Sequence, residues 1–199
     1  MDKVALMVAG RSLLDGVLVA CRGAEPIVVV GPQRPTVDRV YWTREEPPHA
    51  GPVAALAAGL LAVPAEAELT AVLAADLPNL GPSTVRALRA AVPAGPAGPA
   101  APAGPAALAG PAGPRAASDG AVLVDEHGRP QWLCGIWRTA ALKAAVAAAE
   151  DPRDVAVRAV LGRLTAVRLT AEPGVAFDVD TADDLRAVRQ SRVDPGRGG

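Results

Sequence analysis

The feature that most constrains this chain is an alternation. Short, unbroken apolar runs take turns with longer segments of helical period. "PIVVVG" at 26–31 and "LTAVLAAD" at 69–76 are too short for helices, and Gly31 closes the first as Asp76 closes the second. Runs without polar alternation belong to strands buried on both faces, as in a parallel sheet covered by helices. "VYW" at 40–42 reads as a shorter strand, and "GAVLVD" near 120–125, "PQWLCGIW" at 130–137 and "AVRLT" at 166–170 as three more. Between them lie helices. "SLLDGVLVACRG" starts on Ser12 as N-cap and has Gly23 just past its end; "GPVAALAAGLLAV" at 51–63 has Pro52 in its first turn and Pro64 as its stop. "GPSTVRALRAAV" at 81–92, "TAALKAAVAAAE", "VAVRAVLGRL" and "TADDLRAVRQ", the last capped by Thr181, complete the set. The order specifies an α/β fold of three layers, with a mostly parallel sheet between two helical layers.

The 199 residues suffice for one such domain, expected over 1–191, with a disordered tail at 192–199. Residues 93–117 interrupt it with "PAGPAGPAAPAGPAALAGPAGPRAA", in which glycine recurs every third position but the register breaks twice. A collagen helix needs an unbroken and much longer repeat, so this stretch reads as a flexible, partly polyproline surface insert. Net charge is −1, with no basic stripe interleaved with aromatics, which argues against a nucleic-acid partner. No apolar run reaches the ~18 residues of a membrane span, and no signal peptide is evident. Cys21 and Cys134 are isolated, lack metal spacing and sit in apolar surroundings. They read as reduced core residues, and a cytoplasmic location is expected.

Ligands of open parallel sheets bind at the carboxyl ends of the strands. Asp76 stands there, where it suits Mg²⁺, a cation that prefers carboxylate and phosphate oxygen; a capping or solvated turn carboxylate fits the same pattern. Asp178 and Asp180 alternate along "FDVDTADDL", so that both face one side of an extended segment. Asp180 also fits an N-cap, and Asp183 and Asp184 suit the dipole of the helix that follows. "REEPPHAGPVAALAAG" runs a loop into a helix N-terminus at Gly51 and Pro52, where backbone N–H groups can meet a ligand. Glu45 and Glu46 precede it, and a carboxylate accepts from the two donors of a guanine edge; an exposed charged loop fits equally. Lys3 is one of the few lysines of an arginine-rich chain, and a compact ammonium suits phosphate. Trp132 and Trp137 flank Gly135 in a stretch that suits either a stacking floor or core aromatics.

Taken in order, "DKVAL", "GRSLLDGVL", "GPVAALAAGL", "AADLPNL", "PQWLCGIW" and "FDVDTADDL" resemble the molybdenum cofactor guanylyltransferase family, within the wider nucleotidyltransferase superfamily. The resemblance spans about residues 2–190 apart from the insert. It implies a Rossmann-like nucleotidyltransferase fold and transfer of GMP from GTP to a molybdopterin-type cofactor, with release of pyrophosphate. It implies Mg²⁺ on Asp76, with Asp180 as a second candidate ligand, and Lys3 and Asp76 serving catalysis. Lys3, Glu45, Glu46, Gly51 and Pro52 would bind the nucleotide, and Trp132, Gly135, Asp178 and Asp180 the acceptor. Family members often carry asparagine at the last two positions, which leaves their metal role open. Molybdoenzymes or their chaperones would be partners. A cytidylyltransferase, a sugar-phosphate nucleotidyltransferase and a non-catalytic binding remnant are the competing readings.

The resemblance also bears on "MDKVAL". Family members open with a buried strand and a loop of the form leucine-alanine-glycine-glycine, then an arginine, then glycine-x-aspartate-lysine. Only the last pair is present, as Asp2 and Lys3. The expectation is therefore a sheet whose first strand and phosphate loop are missing. Either Met1 is a misassigned start inside a longer reading frame, or the gene is truncated; the intact downstream motifs favour the former.

Overall fold

The structure, a computed structural model, describes residues 3–8, 10–94, 118–172 and 175. In chain order, a 3₁₀ turn (Lys3–Ala5) leads to β1 (Met7–Val8), β2 (Arg11–Ser12), α1 (Leu13–Ala20), β3 (Val28–Val30), β4 (Tyr41–Thr43), α2 (Pro52–Leu61), β5 (Leu69–Leu73) and α3 (Pro82–Ala91). Beyond the insert follow β6 (Gly120–Val124), β7 (Pro130–Arg138), α4 (Thr139–Ala147), α5 (Val157–Leu161) and β8 (Ala166–Thr170). The expected last helix, the tail and insert residues 95–117 lie outside the described residues.

The start of α1 is legible in its chemistry. Ser12 Oγ accepts from Asp15 N at 3.0 Å and donates to Asp15 Oδ2 at 2.7 Å, so one hydroxyl caps the helix and ties down the carboxylate of its first turn. Past its end, Gly23 stands at φ 93°, a conformation that glycine adopts without strain.

The main sheet has strand order β5-β7-β6-β8. β6 and β8 are parallel, and β7 runs antiparallel to both of its neighbours, β5 and β6. The sheet is thus mostly parallel with one reversed strand at its centre. The reversal has a local cause: β6 and β7 are joined by the tight turn Asp125–Arg129, whereas parallel neighbours need a long crossover. In that turn Asp125 N donates to Arg129 O at 3.0 Å, Gly128 N donates to Asp125 O at 2.9 Å, and Gly128 takes φ 74°. β3 and β4 pair in parallel as a separate two-stranded sheet, and β1 and β2 form a third, antiparallel pair. Helix α2 packs on the main sheet through Val53 and Leu60 and also lies against β3, close enough that a Cβ on Gly59 would come within 3.0 Å of Val30 Cγ2.

Each strand of the sheet feeds two cores in alternation. Ala121, Leu123, Cys134 and Ile136 pack with Val17 and Ala20 of α1 and Leu88 and Ala91 of α3. Val122 and Trp137 face the other way and pack with Val53, Leu142, Val146, Val160 and Leu161 from α2, α4 and α5. These are the expected three layers. Leu88 and Leu142 are wholly buried, and each removes from water a side chain worth about 2 kcal/mol.

Both cysteines are free thiols. Cys134 is buried in the first core, and Cys21 packs against it half-buried. Burial pushes the Cys21 thiol from its usual 9.0 up to about 11. A raised thiol pKa favours the protonated folded state, so this contribution to stability is full below pH 9 and is lost as pH rises through 11. At pH 8, iodoacetamide should modify native Cys21 about a hundredfold more slowly than the urea-unfolded chain, in line with its smaller thiolate fraction; equal rates would contradict this placement.

Arg138 ends β7 with only 6% of its surface exposed. Its Nε donates to Ser118 O at 3.1 Å and one terminal nitrogen donates to Pro93 O at 2.6 Å. The two carbonyls stand at the two ends of the insert, on its first residue and on the residue that follows it, so one guanidinium holds together the chain entering it and the chain leaving it. Arg138→Met strands both carbonyls. It should remove about 2–3 kcal/mol and lower Tm by roughly 5–10 °C. Replacing residues 95–117 with a short Gly/Ser linker should leave Tm level or slightly raised, because closure entropy changes by only ~0.6 kcal/mol per doubling of loop length. Differential scanning calorimetry of both variants reads the contrast; a large loss on deletion would mean that the insert packs.

Candidate active site

The turn after β5 is fixed by what it buries. Leu77 and Leu80 sink into the core on the α1 and α3 side at 3% and 6% exposure. Ala74 N donates to Leu133 O at 2.7 Å and carries the β5–β7 pairing past the strand's end. Asp76 lies between these anchors, half-buried. A burial-driven turn therefore holds a carboxylate at the carboxyl edge of the sheet, where ligands of such sheets bind.

Asp76 faces a cavity of about 310 Å³, at the small end of the range for ligand pockets. Its other walls come from the start of β7, through Pro130, Gln131, Trp132, Leu133 and Cys134, and from Val157 at the start of α5. The pairing of β6 with β7 shifts register between Val122 and Val124, opposite this part of β7. Bulges of this kind re-aim side chains beside functional sites. Trp132 thereby packs against the same core as Trp137, with ring centroids 6.3 Å apart and planes 22° from parallel, while also lining the cavity. A half-buried indole backed by a wholly buried one is a rigid stacking surface.

The N-terminus of α2 approaches this region through the chain before α5. Asp154 N donates to Ala50 O at 2.9 Å, three residues ahead of the cavity-lining Val157. Gly51 caps α2 at φ 94°, and a Cβ there would lie 3.4 Å from Asp154 N. Asp154 and His49 themselves take positive φ, 56° and 68°, so the contact is made between two constrained turns.

The residues singled out in the sequence fall into distinct places. Asp76 and Trp132 share the cavity. Gly51 and Pro52 stand at the α2 N-terminus, do not line the cavity, and are tied through Ala50 and Asp154 to the chain that leads to Val157. Glu45 is half-buried, and its Oε1 accepts from His49 N at 2.9 Å, which folds the loop ahead of α2; Glu46 is exposed. Neither glutamate lines the cavity. Gly135 lies under Trp137 and not in the cavity wall: a Cβ there would meet Ala121 O at 2.8 Å and Trp137 Nε1 at 3.0 Å. Lys3 opens the 3₁₀ turn at the start of the chain, and Asp178 and Asp180 lie outside the described residues. Gln131 and Val157 were not singled out. Gln131 is adjacent to a tryptophan that was, but only the register shift in β7 turns this stretch into a wall.

Among the described residues, no group of three or more His, Cys, Asp and Glu is placed to hold a metal ion. Also among them, no helix is long and apolar enough to cross a membrane.

The profile of the MobA-like NTP transferase domain matches residues 1–168. No curated protein sequence matches the chain. Among solved structures, 2-C-methyl-D-erythritol 4-phosphate cytidylyltransferase from Thermus thermophilus is 22% identical, with 96% of this chain and 94% of that one covered and a TM-score of 0.64. Molybdopterin-guanine dinucleotide biosynthesis protein A from Archaeoglobus fulgidus is 17% identical over 97% of this chain and 91% of that one, with a TM-score of 0.57. The 4-diphosphocytidyl-2C-methyl-D-erythritol synthase of Anaerococcus prevotii is 10% identical over 94% and 88%, with a TM-score of 0.59. At these identities the likeness is one of fold.

Gly135→Ala should lower Tm by several degrees through overpacking against Ala121 and Trp137, at about 1–3 kcal/mol. Its effect on ligand affinity should be no larger than that of an equally destabilising core substitution away from the cavity; a selective loss of affinity at unchanged Tm would return Gly135 to the binding surface.

Proposed function

The chain belongs to the MobA-like NTP transferase domain family, and on that premise we propose that it transfers GMP from GTP to a molybdopterin-type acceptor. The observation that carries this reading is the pairing in one cavity of a half-buried carboxylate, Asp76, with a stacking indole, Trp132. A nucleotidyl transfer needs a charge-bearing edge for the phosphates and a flat surface for a ring. In the transfer, an oxygen of the acceptor's terminal phosphate forms a bond to the α-phosphorus, the bond from that phosphorus to the bridging oxygen breaks, and pyrophosphate leaves with its electrons. Phosphoryl chemistry of this kind asks the protein chiefly for position and charge.

The donor set fits Mg²⁺. In nucleotide sites the ion takes one or two carboxylates and completes its shell with phosphate oxygens and water, and Asp76 is a carboxylate of that kind. When bound, Mg²⁺ would offset the charge on the phosphate oxygens. Asp180 and Asp178 would add to this edge or meet the acceptor. The α2 N-terminus, with Gly51 and Pro52, offers backbone N–H groups to an anion or a base edge. Glu45 and Glu46 lie on the loop leading to it, where a carboxylate would read a guanine. Lys3 would meet the phosphates. Trp132 would carry the acceptor ring, and Gly135 supports this wall from beneath through Trp137. Molybdoenzymes or their chaperones would receive the product, in the cytoplasm.

The two cytidylyltransferases of similar fold favour a second reading, transfer of CMP from CTP. Competition between GTP and CTP in equilibrium binding with Mg²⁺ separates the two. Asp76→Asn should lower kcat for pyrophosphate release from GTP and molybdopterin by at least ~10²-fold while Tm stays nearly constant. Near-normal turnover would remove Asp76 from the mechanism, and a preference for CTP would replace the guanylyl reading.

A further inference from the structure

Gln131 lines the same cavity as Asp76 and Trp132, and its carboxamide is not free to turn. Its Nε2 donates to Asp125 Oδ2 at 3.2 Å. The orientation follows from chemistry, since the amide oxygen would be repelled by a carboxylate oxygen at this distance. Asp125 is itself fixed. Its other oxygen, Oδ1, accepts from His127 N at 2.9 Å and from Arg129 N at 2.8 Å within the β6–β7 turn. The Arg129 N–H foremost, and then that of His127 with the nearby charges, hold its carboxyl below the usual range, so it stays an acceptor at neutral pH. Asp125 does not line the cavity. With Nε2 committed to it, the other arm of the planar amide, Oε1, has no hydrogen-bond partner among the described residues and can accept from a ligand.

We propose that Gln131 is a specificity-determining residue that presents its carbonyl oxygen to N–H donors on the ring edge of the accepting substrate, and that Asp125 is the positioning residue that sets this polarity. The ligand class rests on the acceptor reading given above; the polarity itself does not. The ring stacked on Trp132 would turn an amino-bearing edge toward Gln131. An oxo group in the same place would meet Oε1 lone pair to lone pair, and sites built on such pairings discriminate strongly.

The division of labour within Asp125 supplies a sharp test. In Asp125→Asn, Oδ1 still accepts from both backbone N–H groups, so the turn is kept. The group facing Gln131 becomes an NH₂ donor, Gln131 must turn its oxygen toward it, and its own NH₂ then faces the cavity. The cavity's preference should invert. The probes are pterin and lumazine, which share a ring system but carry an amino and an oxo group, respectively, at position 2. Equilibrium dialysis, followed by the absorbance of each pteridine, should show the native protein favouring pterin by about tenfold, the value of one good hydrogen bond. Asp125→Asn should favour lumazine, and Gln131→Leu should bind both alike. Tm of Asp125→Asn reports on the turn, and a stable variant with the native preference overturns the proposal. Equal binding of both probes by the native protein also overturns it and leaves the acceptor reading standing. Failure of the native protein to bind either probe overturns the acceptor reading and, with it, the ligand named here.

Discussion

Trp137 lies flat on the sheet in space that two glycines leave open. A Cβ on Gly120 would come within 2.7 Å of its ring, and one on Gly135 within 3.0 Å of its Nε1. The indole is wholly buried, and α2, α4 and α5 close over it with Val53, Leu142, Val160 and Leu161. Residues of three helices share one core with this ring. Because interiors are packed as densely as crystals, that arrangement cannot relax without a void or a clash. Trp132 stacks on the same ring, so the cavity wall inherits its position from the core.

The two edges of the main sheet divide the labour. At the carboxyl ends of β5 and β6, the chain turns through Asp76 and Asp125, and the cavity opens between the first turn and the start of β7. At the other edge the polar groups are turned inward and spent on structure. Arg138 bonds the carbonyls of Pro93 and Ser118, Asp119 Oδ2 accepts from Thr165 N at 2.9 Å, and the hydroxyls of Thr70 and Thr139 meet at 2.8 Å. Arg138, Asp119 and Thr139 are buried and partnered, whereas Asp76 is half-buried and lines a cavity. A buried polar network raises the definition of the fold when it is satisfied, and here it steadies the sheet from the side opposite the ligand.

The antiparallel direction of β7 links these halves. A strand entering from the cavity edge and leaving at the structural edge brings Gln131 and Trp132 to one end and Arg138 to the other. The tight turn before it makes this geometry and also holds Asp125 within reach of Gln131. A parallel strand would need a crossover, and its first residues would then lie at the far edge.

The sequence by itself determined the elements and their layering. The unbroken apolar runs, Ser12 as a cap, Pro52 in a first turn and the glycines past helix ends are local features, and local physics settles them over a few residues. It also marked Asp76 and Trp132 through strand-end position and aromatic content. The reversal of β7 stood in the short "DEHG" connection, but as a turn whose consequence for sheet direction depends on which strands pair. What only the tertiary structure decided was the company each residue keeps. The register shift that brings Trp132 onto Trp137, the burial that assigns Gly135 to packing and the pairing of Asp125 with Gln131 all depend on strand register and side-chain direction. Periodicity gives the face of an element, but not its offset along a neighbour, because that offset is set by close packing across the whole sheet.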